Sequence, residues 1–362
     1  MEEKTLKPRI RFKGFTEAWE QRVIGDIFQF ERPDKYMIED DHYQETGIPV
    51  LTANKAFILG YRDESGAYDK GDCIIYDDFT LESKFVDFPF KVNSSVIKIL
   101  TSKDGSDLLF DYFLLSRTPI LQQGHARHYI SVVQPTEVMV PSKQESRKIK
   151  VFLSNIQILI TLHQRKFEKL TQIKKSLLGK MFPADGANTP KIRFNGFTEA
   201  WEHRKLGDVT SVATFKPYLK EINEDGDYEI IQQGDKPLAG YANGNPFQDY
   251  EKVTLFGDHT FSLYKAKAPF FVASDGVKIL FSKDMNGYFY YYLLENYKPQ
   301  SEGYKRHFSI LKECECSYPT NIIEQQKIGE YFSNLDNLIT LHQRKYEKLK
   351  NIKKSLLEKM FV

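Results

Sequence analysis

The sequence has little cysteine and no long apolar run. Three cysteines in 362 residues, Cys73, Cys314 and Cys316, cannot build a disulfide framework and point to a reducing compartment. No apolar stretch approaches the roughly 20 residues needed to cross a bilayer. The start, Met1-Glu2-Glu3-Lys4, lacks the basic-then-apolar order of a secretory signal. These absences predict a soluble, cytoplasmic protein with no membrane partner. Excess charge of one sign is also missing: 51 Lys and Arg face 49 Asp and Glu, a net of +2. That balance neither favours nor excludes nucleic acid, because binding depends on where the charges sit.

Catalytic signatures are scarce as well. Neither G-x-G-x-x-G nor G-x-x-x-x-G-K-[ST] is present, so the usual phosphate cradles are missing. An amino-methyltransferase would need an Asn/Asp-Pro-Pro-Tyr/Phe element. Asn245-Pro246-Phe247 lacks the second proline and reads as a turn. Cys314-x-Cys316 has the wrong spacing for a zinc knuckle and has no second half. Glu82-Ser83-Lys84 outlines half of a metal-nuclease motif, but tripeptides of this kind arise by chance. No Ser/His/Asp or Cys/His arrangement stands out. The expectation is a chain that performs no chemistry itself and holds no metal or cofactor.

What the chain does have is a duplication. Residues 8–27 and 190–209 agree at fourteen of twenty positions, at an offset of 182 (PRIRFKGFTEAWEQRVIGDI against PKIRFNGFTEAWEHRKLGDV). Residues 154–182 and 333–361 agree at 22 of 29 positions, at an offset of 179, around a shared LITLHQRK. Each half is therefore a header, a body and a tail. The bodies, 28–141 and 210–320, share little. Three echoes survive: Gly60-Tyr61 with Gly240-Tyr241, Val96-Ile97-Lys98-Ile99-Leu100 with Gly276-Val277-Lys278-Ile279-Leu280, and Gly124-His125-Ala126-Arg127-His128-Tyr129 with Gly303-Tyr304-Lys305-Arg306-His307-Phe308. One fold with two different surfaces is expected, doing one job on two targets.

The tails read as long helices. From Ser142 to Phe182 the only Gly or Pro is Gly179, and apolar residues recur at 3–4 spacing from Ile149 through Ile156, Ile160 and Leu170 to Met181. Ile328 to Met360 repeats the pattern. About 40 residues span roughly 60 Å, and such a stripe needs a partner, the best candidate being its own repeat. His163 and His342 fall at equivalent points in the stripe. A polar break there fixes register, and metal binding is the sharper alternative. Pro183 to Pro190 reads as a linker. Residues 142–182 carry net +8 and 321–362 net +3, which leaves −9 for the rest. The basic helices face either phosphate, a partner or only solvent.

The bodies, 14% aromatic overall chain composition included, read as sheet-rich. Strands are predicted at 72–76, 95–100 and 129–133. Short helices are predicted at Asp107–Ser116 and Asn286–Glu295.

A PRIRFKGFTEAW header, a variable lobe, a segment such as Glu145-Ser146-Arg147-Lys148-Ile149 or Glu324-Gln325-Gln326-Lys327-Ile328, and an LITLHQRK helix together resemble the specificity subunit of type I restriction–modification systems, over nearly the whole chain. The resemblance implies an α/β (α+β) fold with pseudo-two-fold duplication: two target recognition domains joined by two long antiparallel helices forming a coiled coil. The corresponding boundaries are 1–141 and 190–320 for the domains, 142–182 and 321–362 for the spacer helices, and 183–189 for the linker. It further implies that each lobe reads half of a bipartite, asymmetric site in double-stranded DNA, and that the helices dock modification (methyltransferase) subunits, two per chain. Those subunits would hold S-adenosylmethionine and methylate adenine N6, and restriction (motor) subunits would join to cleave unmodified DNA. The two tails differ at Ser146-Arg147 against Gln325-Gln326, so partner contact is expected to differ between halves.

Candidate readers are polar residues in predicted loops: Asn54, Lys55, Gln122, Gln123, His125, Arg127, His128 and Tyr129 in the first lobe, and Gln232, Gln233, Lys236, Tyr304, Lys305, Arg306 and His307 in the second. Gln and Asn can pair bidentately with adenine and Arg with guanine. Arg127-His128 and Arg306-His307 occur in both lobes, which favours phosphate clamping or a structural role over sequence reading. Three rival readings stand beside this one. They are a coiled-coil adaptor whose lobes bind proteins, an enzyme with an unrecognised motif, and the specificity subunit of a fused restriction–modification enzyme.

Overall fold

The computed structural model describes residues 7–54, 56–63, 65–103, 105–121, 127–184, 186–299 and 306–362. The chain forms two compact units: residues up to Leu162 with Lys345–Val362, and His163–Arg344. Each long helix thus gives one stretch to each unit.

In the first unit a four-stranded antiparallel sheet has the order Phe28–Glu31, Ile97–Ser102, Cys73–Asp77, Ser83–Val86. A three-stranded sheet has the order Ile58–Arg62, Ile48–Leu51, Lys91–Val92. Side chains alternate across a strand, and Cys73–Asp77 is buried on both faces. Ile74 and Tyr76 join a core with Leu100, Phe110 and Leu114, while Cys73 and Ile75 join another with Leu51, Phe90 and Ile99. The second unit repeats this topology with Ser211–Ala213, Val277–Phe281, Thr254–Gly257, Leu263–Tyr264 and with Leu238–Ala242, Tyr228–Ile231, Phe270–Val272.

The short helices form at Leu108–Arg117 and Gly287–Tyr297. Asp107 and Asn286 cap them, accepting from Phe110 N and from Tyr288 N and Phe289 N, so each first turn has an acceptor for its orphan N–H groups. The strand expected at 129–133 is not formed. Tyr129–Val133 is one π-helical turn, and its counterpart Phe308–Glu313 is an α-helix. The β-branched run suits a strand by propensity, but His128 O accepts from both Val132 N and Val133 N and coils the segment before it can extend.

The long helices are Lys143–Met181 and Ile322–Met360. Within the first unit Ile149 and Leu153 pack with Leu356, Leu357 and Met360, and within the second Leu170 and Leu177 pack with Ile328, Leu335 and Ile339. The pairing is antiparallel in both. In the second unit His163 Nδ1 meets His342 Nδ1 at 2.9 Å, so one ring donates and the other accepts, and the polar break sits in the seam. Part of the apolar stripe stays uncovered at equivalent positions of both helices: Leu159, Leu162 and Ile173, and Leu338, Leu341 and Ile352, are all more than a third exposed.

The headers are straps. Arg11 donates from Nε and Nη2 to Glu145 at 2.6 and 2.7 Å, and Arg193 does the same to Glu324 at 2.7 and 2.8 Å. Ile10 N donates to Lys359 O and Ile192 N to Lys180 O, both at 2.9 Å. Each header therefore ties the start of one long helix to the end of the other. Trp19 packs edge-on to Phe361, and Trp201 edge-on to Phe182. The shared Met-Phe at both helix ends (Met181-Phe182, Met360-Phe361) is a plug for the lobe core.

Candidate nucleic-acid interface

In each lobe the segment carrying the repeated Arg-His is pinned to a turn by a buried carboxylate. In the first, the turn after Cys73–Asp77 is closed by Asp77 Oδ1, which accepts from Phe79 N and Thr80 N at 2.9 Å. Leu81 at φ 61° completes it. The next residue along from Asp77, Asp78, accepts from Tyr129 N through Oδ1 at 2.6 Å. Its Oδ2 lies 3.1 Å from Lys98 Nζ, and its carbonyl accepts from His128 N at 3.1 Å and lies 3.2 Å from His128 Nδ1. The second lobe repeats the arrangement. Asp258 Oδ1 accepts from Phe308 N at 2.9 Å, Oδ2 lies 3.9 Å from Lys278 Nζ, and the carbonyl accepts from His307 N at 2.7 Å and lies 3.1 Å from His307 Nδ1. Phe261, at φ 53°, takes the place of Leu81.

This geometry separates the candidates. Arg127 and Arg306 are exposed. His128, Tyr129 and His307, offered as DNA contacts by the sequence, are 1%, 0% and 0% exposed. Their side chains have no surface for a duplex, and the structure makes them the inner wall of the segment that presents the arginines. Asn54 is exposed on the turn between Ile48–Leu51 and Ile58–Arg62, and its Oδ1 accepts from Ala56 N at 3.2 Å. In the second lobe Gln232 Nε2 donates to Lys236 O at 3.0 Å, and Gln233 Oε1 accepts from His259 N at 3.0 Å. Gln233 is wedged so closely that a Cβ at Gly276 would lie 2.8 Å from its Nε2. The 232–236 turn, the 257–261 turn and Arg306-His307 are thus brought together, with Lys236 exposed at the rim. Lys55, Gln122, Gln123, His125, Tyr304 and Lys305 lie outside the described residues.

Two of the three echoes between the divergent bodies are now explained: Lys98 and Lys278, and His128 and His307, are members of this anchor. The third, Gly60 and Gly240, marks close strand approach, since a Cβ would fall 2.5 Å from Tyr43 and 2.6 Å from Asn223 O. Asp78 and Asp258 were missed by the sequence reading. The repeated Asp-x-Thr of Asp78-Phe79-Thr80 and Asp258-His259-Thr260 was the available signal.

The lobes join the helix stretches differently. In the second unit Lys174 Nζ pairs with Glu295 and Asp336 at 2.9 and 2.8 Å, and Tyr292 OH donates to Asp336 at 2.8 Å. Among the described residues the equivalent Lys353 of the first unit donates to Gln157 Oε1 at 2.7 Å, above the Phe113 ring. Burial pulls the Lys353 ammonium below its ordinary value. Among the described residues no three His, Cys, Asp or Glu side chains are grouped to hold a metal ion. Among them, too, no helix is long and apolar enough to cross a membrane.

The model of the type I restriction modification DNA specificity domain matches residues 16–172 and again 198–351. The type I restriction enzyme EcoR124I/EcoR124II specificity subunit of Escherichia coli is 33% identical over 194 residues, 51% of this chain and 45% of its own length, so the chain spans about half of that curated relative. The crystal structure of the type I restriction-modification system S subunit from M. genitalium shares the fold, with a TM-score of 0.77, 17% identity, and coverage of 98% of this chain and 99% of that one. With both halves matched, the chain belongs to the type I restriction–modification DNA specificity family and carries its domain twice.

Proposed function

We propose that this chain is the DNA-reading subunit of a type I restriction–modification enzyme, each lobe recognising half of a bipartite, asymmetric site in double-stranded DNA. The observation that carries the reading is the duplicated anchor. Two lobes that share little sequence both spend a buried aspartate, with a lysine at 3.1 or 3.9 Å, on one short segment, and in both that segment presents an exposed arginine, Arg127 or Arg306. A common scaffold with different rims is what two half-site readers require. Arginine at a repeated position suits phosphate, which fixes register without reading sequence, while the differing neighbours read bases. Asn54, Lys55, Gln122, Gln123, His125, Gln232, Gln233, Lys236, Tyr304 and Lys305 stay proposed for the interface.

The long helices are the spacer and the docking platform. Their uncovered leucines and isoleucines recur at equivalent positions, which fits two like modification subunits per chain, each holding S-adenosylmethionine. Restriction subunits complete the enzyme, and the complex works in the cytoplasm. The chain itself performs no chemistry. Mapping methylated adenines in DNA from cells carrying the chain and its modification partner tests this. A bipartite motif is expected, and exchanging residues 28–141 for another lobe should change one half of it only. Loss of both halves, or the absence of any motif, would leave the lobes as protein-binding modules of a coiled-coil adaptor.

A further inference from the structure

We infer that Asp78 and Asp258 are positioning residues for DNA reading, each setting the register of its own lobe's exposed arginine and of no other. This rests on the proposed reading of the lobes as half-site readers.

The argument starts from cost. A carboxylate out of water is unfavourable unless it is paired and hydrogen-bonded, and Asp78 and Asp258 are 2% and 3% exposed. An apolar residue would fill either place more cheaply, so the pair is retained for what it orients. Each aspartate uses its side chain on one backbone amide (Tyr129 N or Phe308 N) and its carbonyl on the amide before it (His128 N or His307 N). Two consecutive amides are thereby clamped. The residue immediately upstream, Arg127 or Arg306, is the first to leave the core, and its Cα is fixed by its neighbour. Lys98, on the adjacent strand Ile97–Ser102, pairs with the second carboxylate oxygen of Asp78 at 3.1 Å, and Lys278, on Val277–Phe281, lies 3.9 Å from that of Asp258. The arginine is thus referenced to the sheet. That allows the rim to vary between lobes while the phosphate contact stays in place.

Substitution by asparagine keeps the volume and one acceptor oxygen, but it turns an amide NH2 toward the lysine ammonium, donor against donor. The experiment uses the chain assembled with its modification subunits. Labelled duplexes carry the mapped motif, or the motif with one half scrambled, and binding is followed by fluorescence anisotropy. Asp78→Asn should weaken binding by about 10- to 100-fold, the range for losing a charge-assisted hydrogen bond, and reduce the slope of log affinity against log salt by about one phosphate contact. Adding Arg127→Ala to it should weaken binding by less than about twofold further. Asp258→Asn should behave in the same way with Arg306→Ala. A merely structural role would lower the melting temperature and leave the salt slope and the full effect of Arg127→Ala in place. An unchanged salt slope, or additive losses in the double variant, would overturn the inference. If Asp78→Asn fails to fold, Lys98→Gln leaves both amide clamps in place and decides by the same two outcomes. If the unaltered complex discriminates neither half, the half-site reading itself fails and takes this inference with it.

Discussion

Glu145 is fully buried, holds Arg11 in a two-pronged pair, and accepts from Trp19 Nε1 at 3.2 Å. It joins the first header to the start of a long helix, and Glu145→Gln should loosen that strap without leaving a cavity. Removing one partner of a buried pair costs about 3–5 kcal/mol. Arg11 keeps 14% of its side-chain surface, so water offsets part of this, and about 2–3 kcal/mol is expected. At roughly 2–4 °C per kcal/mol for units of this size, the first unit should melt about 4–12 °C lower by differential scanning calorimetry. The second half supplies the control. Glu324 makes the same arginine pair, but among the described residues Trp201 Nε1 has no hydrogen-bond partner. Glu324→Gln should therefore cost about 1 kcal/mol less, one hydrogen bond's worth. The double change Arg11→Met with Glu145→Leu should recover most of the loss, since an apolar pair of similar volume replaces a buried ion pair at little cost. An unshifted melt for Glu145→Gln, or a double variant as damaged as the sum of the singles, would refute the reasoning.

Other expectations concern single charges. Arg127→Ala should weaken binding to all duplexes and reduce the slope of log affinity against log salt by about one phosphate contact; relaxation at one base position only would make Arg127 a base reader. Gln157→Glu gives Lys353 the carboxylate that Asp336 gives Lys174, and should raise the melting temperature of the first unit by about 2–4 °C; no rise in thermal melts would show that Lys353 is already satisfied. Burial holds the Lys265 ammonium at about 7, below its unfolded value, so the unfolded chain binds more protons above that pH. Stability of the second unit should then rise from pH 7 towards 10, by up to about 1.4 kcal/mol per pH unit, and Lys265→Met should flatten that rise in denaturant titrations. A flat profile in the unaltered chain would place the Lys265 titration elsewhere.

The sequence by itself determined the duplication, the two long helices, the short helices at Asp107 and Asn286, and the family resemblance. These are local signals: identity at a fixed offset, a 3.6-residue period, and a capping residue ahead of an apolar run. It also marked two members of the anchor, Lys98 with Lys278 as an echo without a role and His128 with His307 as candidates for phosphate clamping or a structural role. Tertiary structure alone decided that His128, Tyr129 and His307 face inward, that Tyr129–Val133 coils, and that Asp78 and Asp258 hold the segment. The Asp78–Tyr129 bond joins residues 51 apart and Arg11–Glu145 residues 134 apart. Such pairs depend on which strands and helices meet. Periodicity tells which face of an element is buried, but carries no distance between elements, so only the folded chain brings these partners together.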